Sequence, residues 1–278
     1  MRYSFNTWAY GSFPTWLPAY TLDETVRRLA AIGYDAIEIG CAAPHAWPPY
    51  LSAERRKDLR GLMEREGIVV SSLLPPPGGG PGANAASVLP EERAFARSHY
   101  MEVVDLAHDL GAGLVLYVAG WTIFGVSSDE GWKWSADCLE AVARHAASRG
   151  VVIAVEPTPA DSNLVETADD ALRMIRDVSQ PNVKAMFDTF HAMYRKEPSA
   201  DYVQTLGDQL VHVHCADVDR GPPADGPIDW RALLQALKDR NYAGYLAMEI
   251  GFASRSVDPD HQARRAIEYL RAIERGLH

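Results

Sequence analysis

The sequence predicts an α/β fold, a (β/α)8 TIM barrel in a single domain over residues 1–278. Three observations support this fold class. Strand-like apolar runs alternate with helix-like segments, the alternation occurs eight times, and the strand runs are apolar on both faces. Strands without a polar face are expected in a parallel sheet that helices cover on the outside. Eight such units in 278 residues fit one barrel.

The eight predicted strand–helix units follow one another along the chain. The first four pair RYSFNTW with LDETVRRLAAIG, YDAIEIG with SAERRKDLRGLMEREG, IVVSSLL with PEERAFARSHYMEVVDLAHDLG, and AGLVLYVAG with SDEGWKWSADCLEAVARHAASRG. The last four pair VVIAVEP with ETADDALRMIRDV, NVKAMFDTF with SADYVQTLG, DQLVHVHCAD with DWRALLQALKDRN, and GYLAMEIG with DPDHQARRAIEYLRAIERG. A doubly wound open sheet is the alternative, but no strand is followed by GxGxxG or GxxxxGK[ST].

Residues at the ends of the predicted helices support these boundaries. Helical patterns are followed by glycines, which adopt the left-handed conformation at low cost, at Gly33, Gly67, Gly111 and Gly150. Short polar side chains that precede periodic apolar patterns are predicted N-caps: Asp129, Thr167 and Asp229.

Composition excludes several classes of protein. A formal charge of −10 and a pI near 5.4 argue against nucleic-acid binding, which needs a basic surface. Three cysteines without CxxC spacing (Cys41, Cys138 and Cys215) indicate a reducing compartment. No apolar stretch approaches the roughly 18 residues of a membrane span, and the first ten residues lack the apolar segment of a signal peptide. We therefore expect a cytoplasmic protein without a membrane partner.

Four acidic or imidazole side chains each end one of the last apolar runs: Glu156, Asp188, His214 and Glu249. The carboxyl ends of parallel strands meet at one edge of a barrel, and active sites lie on that face. Strand parity predicts that the layer beneath these residues consists of Ala154, Met186, His212 and Ala247. Three carboxylates and an imidazole would repel one another there unless a divalent cation held them together.

The predicted ligand set is rich in oxygen, with one nitrogen and no sulfur. Such a set favours Mn²⁺, with Mg²⁺ or Co²⁺ as alternatives, over a structural zinc ion. Each residue also has an ordinary interpretation, because an acidic residue at a strand end often caps a helix and a strand histidine is often a hydrogen-bonded core residue. Four of them on four successive strands are harder to explain separately.

The segments after the predicted strands resemble a known family along essentially the whole chain. GYDAIEI followed by PHAW, EPTPADSNLVET, MFDTFHA, HVHCADVDR and GPIDW with GYLAMEIG are similar to the xylose isomerase-like TIM barrels, the sugar isomerase and epimerase superfamily. Within it the chain looks most like the ketose 3-epimerases of the tagatose/psicose and fructoselysine 3-epimerase type. The segments are specific as a set, although each alone is a weak signal.

The resemblance implies roles for individual residues. Glu156, Asp188, His214 and Glu249 would bind the metal, and Glu156 and Glu249 would also be the catalytic acid/base pair. His191 and Arg220 would contact the substrate, and Asp161 and His45, the latter in the matching PHA segment of the loop after strand two, are further candidates. Strand parity, not the resemblance, adds Glu38 as a candidate substrate contact. Asp161 stands near the place of a glutamate in the ketose 3-epimerases, at a different spacing. Glu38 points inward by parity, so that a role in orienting other side chains is equally open.

The implied activity is a metal-dependent epimerisation or isomerisation of a ketose or ketose derivative. Proton transfer would pass through a metal-stabilised enediolate between the two glutamates. The same intermediate could instead expel a leaving group, so that a lyase or dehydratase acting on a 3-oxo-glycoside or keto-polyol is the alternative. A DNA-repair endonuclease of this fold would need more histidines and a basic groove. The expected partner is a sugar, and a homodimer or homotetramer is left open.

Two further features lie on the predicted active face. Aromatic residues that could stack on a sugar or mark a subunit interface are Trp8, Tyr10, Trp16, Trp47, Trp121 and Phe124. The Pro/Gly-rich stretch from Leu73 to Ser87 suits a loop that folds over a ligand, and a surface loop without a role is the alternative. Cys215 follows His214, so its thiol is expected to point toward the helices and to be buried.

Overall fold

Eight short parallel strands form a closed barrel in which each strand pairs with its neighbours in chain order. The computed structural model describes residues 1–11, 20–43, 45–76, 84–251 and 258–277. The strands are β1 Arg2–Asn6, β2 Ala36–Gly40, β3 Val69–Leu74, β4 Leu114–Val118, β5 Val152–Glu156, β6 Val183–Asp188, β7 Leu210–Cys215 and β8 Tyr245–Met248. The barrel closes where β1 pairs with β8. The predicted fold class is confirmed.

Helices surround the barrel. Within the described residues they are α1 Leu22–Ile32, α2 Ala53–Glu66, α3 Pro90–Leu110, α4 Ser128–Ser148, α5 Ala168–Val178, α6 Thr189–Tyr194, α7 Ser199–Leu206, α8 Trp230–Asp239 and α9 Pro259–Arg275. None of them combines the length and the hydropathy that are required to cross a membrane. The sequence patterns did not predict the short helix α6, which starts at the residue after β6, and β1 ends at Asn6 rather than at Trp8.

The helix ends follow the predicted capping residues with one exception. Thr167 and Asp229 cap α5 and α8, and Gly33 ends α1 in the left-handed conformation. Asp129 as a cap is wrong, because α4 begins after Ser127. The Ser127 hydroxyl accepts a hydrogen bond from the backbone of Glu130, whose side chain bonds back to the backbone of Ser127, and Asp129 lies in the first turn.

Two apolar regions hold the barrel together. The larger one lies between strands and helices and includes the buried Cys215. The smaller one fills the barrel interior with Leu74, Leu114, Leu116, Ala154 and Met186, so the predicted inward direction of Ala154 and Met186 is confirmed. The indole of Trp8 packs against this interior plug. A Cβ atom at Gly40 would lie 1.8 Å from Nε1 of Trp8, so only glycine lets the indole approach β2 this closely.

Candidate metal centre

Side chains from four neighbouring strands converge at the carboxyl end of the barrel. Glu156 and Asp188 are the last residues of β5 and β6, His214 lies in β7, and Glu249 follows β8 directly. One ligating atom from each of these four lies within 4.8 Å of the others. The strand register explains the convergence, since Asp188 pairs with His214 and His214 pairs with Ala247, two residues before Glu249. The structure therefore brings together all four predicted metal ligands.

The contacts within this group place two carboxylate oxygens against one imidazole nitrogen. Nδ1 of His214 lies 3.3 Å from Oε1 of Glu156 and 3.2 Å from Oε2 of Glu249. His214 is fully buried, and its Nδ1 makes no aligned hydrogen bond within the described residues. Carboxylates accept hydrogen bonds and cannot donate them when ionised. A buried imidazole nitrogen that faces oxygens offering only lone pairs needs a positive charge between them, which either a proton or a divalent cation can supply.

The same proximity shifts the pKa values of the group. Burial raises the pKa of Glu156, although the charge of His214 opposes the shift. Burial alone would lower the pKa of His214, but Glu38, Glu249 and Glu156 outweigh it and raise that pKa well above its usual value. A cation bound among these residues would take over the charge balance that the imidazolium proton otherwise provides.

Arg220 reaches into the group from the loop after β7. Its Nη1 donates hydrogen bonds to Oδ2 of Asp188 and, at 2.5 Å, to Oε2 of Glu249. Burial would raise the pKa of Glu249, but the charges of Arg220 and His214 outweigh it and hold that pKa well below its usual value. Asp219 and Arg220 have φ values of 54° and 59°, a left-handed conformation that costs energy for residues other than glycine. This strained turn directs the guanidinium over the ring of Phe190, 4.2 Å from its centroid.

His191 and Asp161 lie at the rim of the group. Nε2 of His191 lies 3.3 Å from Nη2 of Arg220 and 3.5 Å from Oδ2 of Asp161. His191 is buried and Asp161 is half exposed. The helix α6 positions His191, and Asp188 caps that helix, because its Oδ1 accepts a hydrogen bond from the backbone N–H of Phe190. The cap and ligand interpretations of Asp188 are thus compatible, since the cap uses Oδ1 and leaves Oδ2 for a ligand role.

Glu38 lies beneath the four side chains and is fully buried. Its Oε2 accepts a hydrogen bond from Nε2 of His212 at 2.9 Å, and its Oε1 lies 2.9 Å from Nε2 of His214. Asn6 and Ser72, on the strands that flank β2, donate to the same carboxylate at 2.7 Å. This placement favours the supporting role that parity left open over direct contact with a substrate. His212 is a core histidine with one satisfied nitrogen.

The described contacts of His45 include none of the four proposed metal ligands. It is buried, its Nε2 lies 2.8 Å from the carbonyl oxygen of Tyr20, and it borders a cavity of about 440 Å³ with Trp47 and Arg55. Burial lowers the pKa of His45, which keeps the ring neutral. A substrate contact by His45 therefore stays a prediction without a described contact to support it.

The predicted aromatic residues differ in their surroundings. Trp8 packs against the barrel plug, whereas Tyr10 is buried and donates a hydrogen bond to Asp260 in α9. Phe124 is fully exposed. Trp16 and residues 77–83 of the Pro/Gly-rich stretch lie outside the described residues.

Sequence reasoning missed Asn6 and Ser72. Both are polar residues at strand positions that pair with Glu38 across β1, β2 and β3. Inward-facing polar residues on three adjacent strands are unusual in a barrel that apolar side chains otherwise fill, so strand parity combined with register could have indicated them.

Two proteins of known activity that are similar to this chain are sugar epimerases. The chain is 29% identical over 260 residues to fructoselysine 3-epimerase of Shigella flexneri, covering 91% of this chain and 93% of the relative. It is 28% identical over 251 residues to D-psicose 3-epimerase of Enterocloster bolteae, covering 85% and 80%. The structure of D-psicose 3-epimerase with D-tagatose from Clostridium cellulolyticum H10 superimposes with a TM-score of 0.86 over 99% of both chains at 23% identity, which supports the fold. The prediction of an enzyme is confirmed.

A family model covers most of the chain. The model of the xylose isomerase-like TIM barrel matches residues 26–273, which include seven of the eight strands, β2 to β8. The resemblance read from the motifs after the strands is therefore confirmed. The chain belongs to the xylose isomerase-like TIM barrel family.

Proposed function

We propose that the protein is a divalent-metal-dependent epimerase of a ketose or ketose derivative, with inversion at the carbon next to the carbonyl group. The observation that carries this proposal is the placement of the Glu156 and Glu249 carboxylates against the same nitrogen, Nδ1 of His214, at 3.3 and 3.2 Å. Epimerisation by proton exchange needs two such groups around one carbon. The named activities of the relatives support the same reaction class.

Glu156, Asp188, His214 and Glu249 would hold the cation. Their oxygen-rich donor set with one imidazole nitrogen suits Mn²⁺ first, and Mg²⁺ or Co²⁺ next. When bound, the cation supplies positive charge that stabilises negative charge on the substrate oxygens.

The two glutamates would exchange the proton. They come from β5 and β8, which are separated in the barrel by β6 and β7, so they approach the centre from different sides. One group, ionised, removes the proton beside the carbonyl group and leaves an enediolate, and the other, protonated, delivers its proton to the opposite face of the same carbon, so that the two glutamates exchange protonation states in each turnover. A positioned carboxylate of this kind contributes about 10²–10⁴-fold to the rate.

The side chains at the rim would hold the sugar hydroxyls. Arg220 can donate hydrogen bonds from its guanidinium, while Asp161 accepts them and His191 can do either. Contacts among these three of 3.3–4.0 Å place them around one region of the site. Their mix of donors and acceptors suits a polyol, whose hydroxyls do both.

Solvent exchange tests the proposal directly. Mn²⁺-loaded protein is incubated in D2O with D-psicose, D-tagatose or fructoselysine, and with each substrate after removal of the metal by a chelator. We expect deuterium at the carbon next to the carbonyl and formation of the epimer, both dependent on the metal. Release of water or of an aglycone from a 3-oxo-glycoside, without an epimer, would instead establish the lyase alternative.

A further inference from the structure

Below the proposed metal ligands, a buried carboxylate contacts both histidines of β7. We propose that Glu38 is a positioning residue that fixes the tautomer of His214, so that Nε2 carries the proton and Nδ1 faces the cation. The inference rests on the proposed function, because it gives the metal ligand His214 its orientation. Glu38 itself would touch neither the cation nor the substrate.

The carboxylate of Glu38 receives contacts from three strands. Oε1 accepts a hydrogen bond from Nδ2 of Asn6 at 2.7 Å, and Oε2 accepts hydrogen bonds from Oγ of Ser72 at 2.7 Å and Nε2 of His212 at 2.9 Å. Nε2 of His214 lies 2.9 Å from Oε1, at ion-pair distance, with its N–H direction off the line to that oxygen. Each of these side chains is buried.

The orientation of Asn6 is independently fixed. Its Oδ1 accepts a hydrogen bond from the backbone N–H of Trp8 at 2.8 Å, so its NH₂ group must point toward Glu38. An amide in the opposite orientation would place an oxygen against the carboxylate and an NH₂ group against the N–H of Trp8. The hydrogen bond from Asn6 in β1 therefore positions Glu38 independently of both histidines.

This arrangement determines where the histidine protons lie. A carboxylate that already accepts from Asn6 and Ser72 acts as an acceptor toward the imidazoles, so the nitrogens facing it, Nε2 of His212 and of His214, must carry hydrogen. In a neutral imidazole the other nitrogen then has the lone pair. For His214 that nitrogen is Nδ1, the one that faces Glu156 and Glu249. A buried carboxylate that orients a ligating histidine through its other nitrogen is a general device of metal sites.

The same three residues could also be interpreted as a second metal site, since ligating atoms of Glu38, His212 and His214 lie within 4.8 Å of one another. The contacts argue against that interpretation. Asn6, Ser72 and His212 already direct hydrogens at the carboxylate, and a cation there would face those hydrogens. The binding stoichiometry separates the two interpretations.

The first experiment measures metal affinity in Glu38→Gln. Glutamine keeps the size of the side chain, but its NH₂ group cannot accept the N–H of a histidine. We expect Mn²⁺ affinity by calorimetry to fall by about 10- to 100-fold, and turnover to recover toward the wild-type value at saturating Mn²⁺. The matched control is Ser135→Ala, which removes a fully buried hydroxyl that lies 3.0 Å from the hydroxyl of Tyr117, between α4 and β4. We expect the control to bind Mn²⁺ within about twofold of the wild type, because Ser135 makes no described contact with Glu38 or with the side chains that donate to it.

The second experiment observes the imidazole nitrogens by NMR in protein with ¹⁵N-labelled histidine. In metal-free protein, we expect a solvent-protected Nε2–H on His214 that exchanges faster in Glu38→Gln and is unchanged in Ser135→Ala. In ¹¹³Cd-loaded protein, we expect the metal–nitrogen coupling on Nδ1 of His214. These readouts do not depend on turnover, and the metal-free spectrum does not depend on metal binding.

The outcomes distinguish the two proposals. Wild-type metal affinity in Glu38→Gln, coupling to Nε2 of His214, or two ions per chain would overturn the role of Glu38 while leaving a metal-dependent epimerase intact. A wild-type protein that binds no divalent ion and turns over no ketose would refute the proposed function and with it the presentation of Nδ1, even if the metal-free spectrum shows the protected Nε2–H.

Discussion

Two groups of acidic and histidine side chains lie one above the other in this barrel, and they share His214. The upper group comprises Glu156, Asp188, His214 and Glu249, and the lower group comprises Glu38, His212 and His214. Both groups combine carboxylates with imidazoles. The surroundings differ, because the lower carboxylate accepts hydrogen bonds from two neutral side chains, Asn6 and Ser72, whereas the upper carboxylates face one another and His214.

The comparison shows that the balance of donors and acceptors identifies a cation site better than the residue types do. In the lower group, hydrogen atoms of neighbouring side chains satisfy the buried charge. In the upper group, three carboxylates exceed the nearby donors, and Arg220 is the described side chain that donates to two of them. A cation would balance the excess of carboxylates in the upper group. In the lower group it would displace the hydrogen bonds that already satisfy the Glu38 carboxylate.

Replacement of Glu249 by glutamine tests whether the upper group performs the chemistry, and it has the largest expected effect. Glu249→Gln removes one of the two proton-exchanging groups, so we expect kcat to fall by about 10²–10⁴-fold with the fold retained. Steady-state kinetics with circular dichroism melting measure both. The matched control is Glu268→Gln on the exposed face of α9, which should change neither. An active Glu249→Gln variant would remove the basis for assigning catalysis to this group.

Metal titration tests whether only the upper group binds a cation. We expect one Mn²⁺ per chain and, at a free concentration 100 times the Kd, stabilisation of the folded state by about 2.7 kcal/mol over chelator-treated protein. Differential scanning calorimetry checks the shift and mass spectrometry the stoichiometry. His214→Asn should lose the shift, whereas the exposed control His261→Asn should keep it. Binding of two ions per chain would contradict the expectation that the lower group binds no cation.

The pH dependence of metal binding sharpens the comparison and has the smallest expected effect. Burial lowers the pKa of His214, but Glu38, Glu249 and Glu156 raise it more, so the metal-free imidazole is protonated at neutral pH. A cation must displace the proton on Nδ1, and affinity should rise by up to about tenfold per pH unit below that pKa. Calorimetry at one pH in phosphate and in Tris measures the protons released. Identical enthalpies in the two buffers would contradict the expectation.

The sequence predicted the barrel and the four converging side chains because both depend on local signals. Alternating apolar runs predict the strands, and the last residue of each run lies at the same edge of a parallel barrel. Their metal-binding role was inferred from the strand ends and agrees with the family resemblance, the acid/base roles came from the resemblance alone, and both remain proposals. Helix α6 was missed because TFHAMY is too short to show a helical period.

The hydrogen bonds that Asn6 and Ser72 donate to Glu38 could not be predicted from local signals. They depend on the register between strands that are distant in the chain, since Asn6 pairs with Glu38 and Glu38 pairs with Ser72. One residue of slippage in either pairing would have placed these polar groups elsewhere. The error at Asp129 has a local cause: Ser127 with Glu130 forms a reciprocal pair of hydrogen bonds, which a single acidic residue does not match.

The two oxygens of Asp188 link two parts of the enzyme that could otherwise vary separately. Its Oδ1 starts the short helix that carries His191, and its Oδ2 accepts a hydrogen bond from Arg220. A rotation of this carboxylate would therefore disturb the start of that helix and the contact with Arg220 in a single movement. We expect substitutions at the half-exposed Asp161 to disturb the protein less than substitutions at the fully buried Asp188.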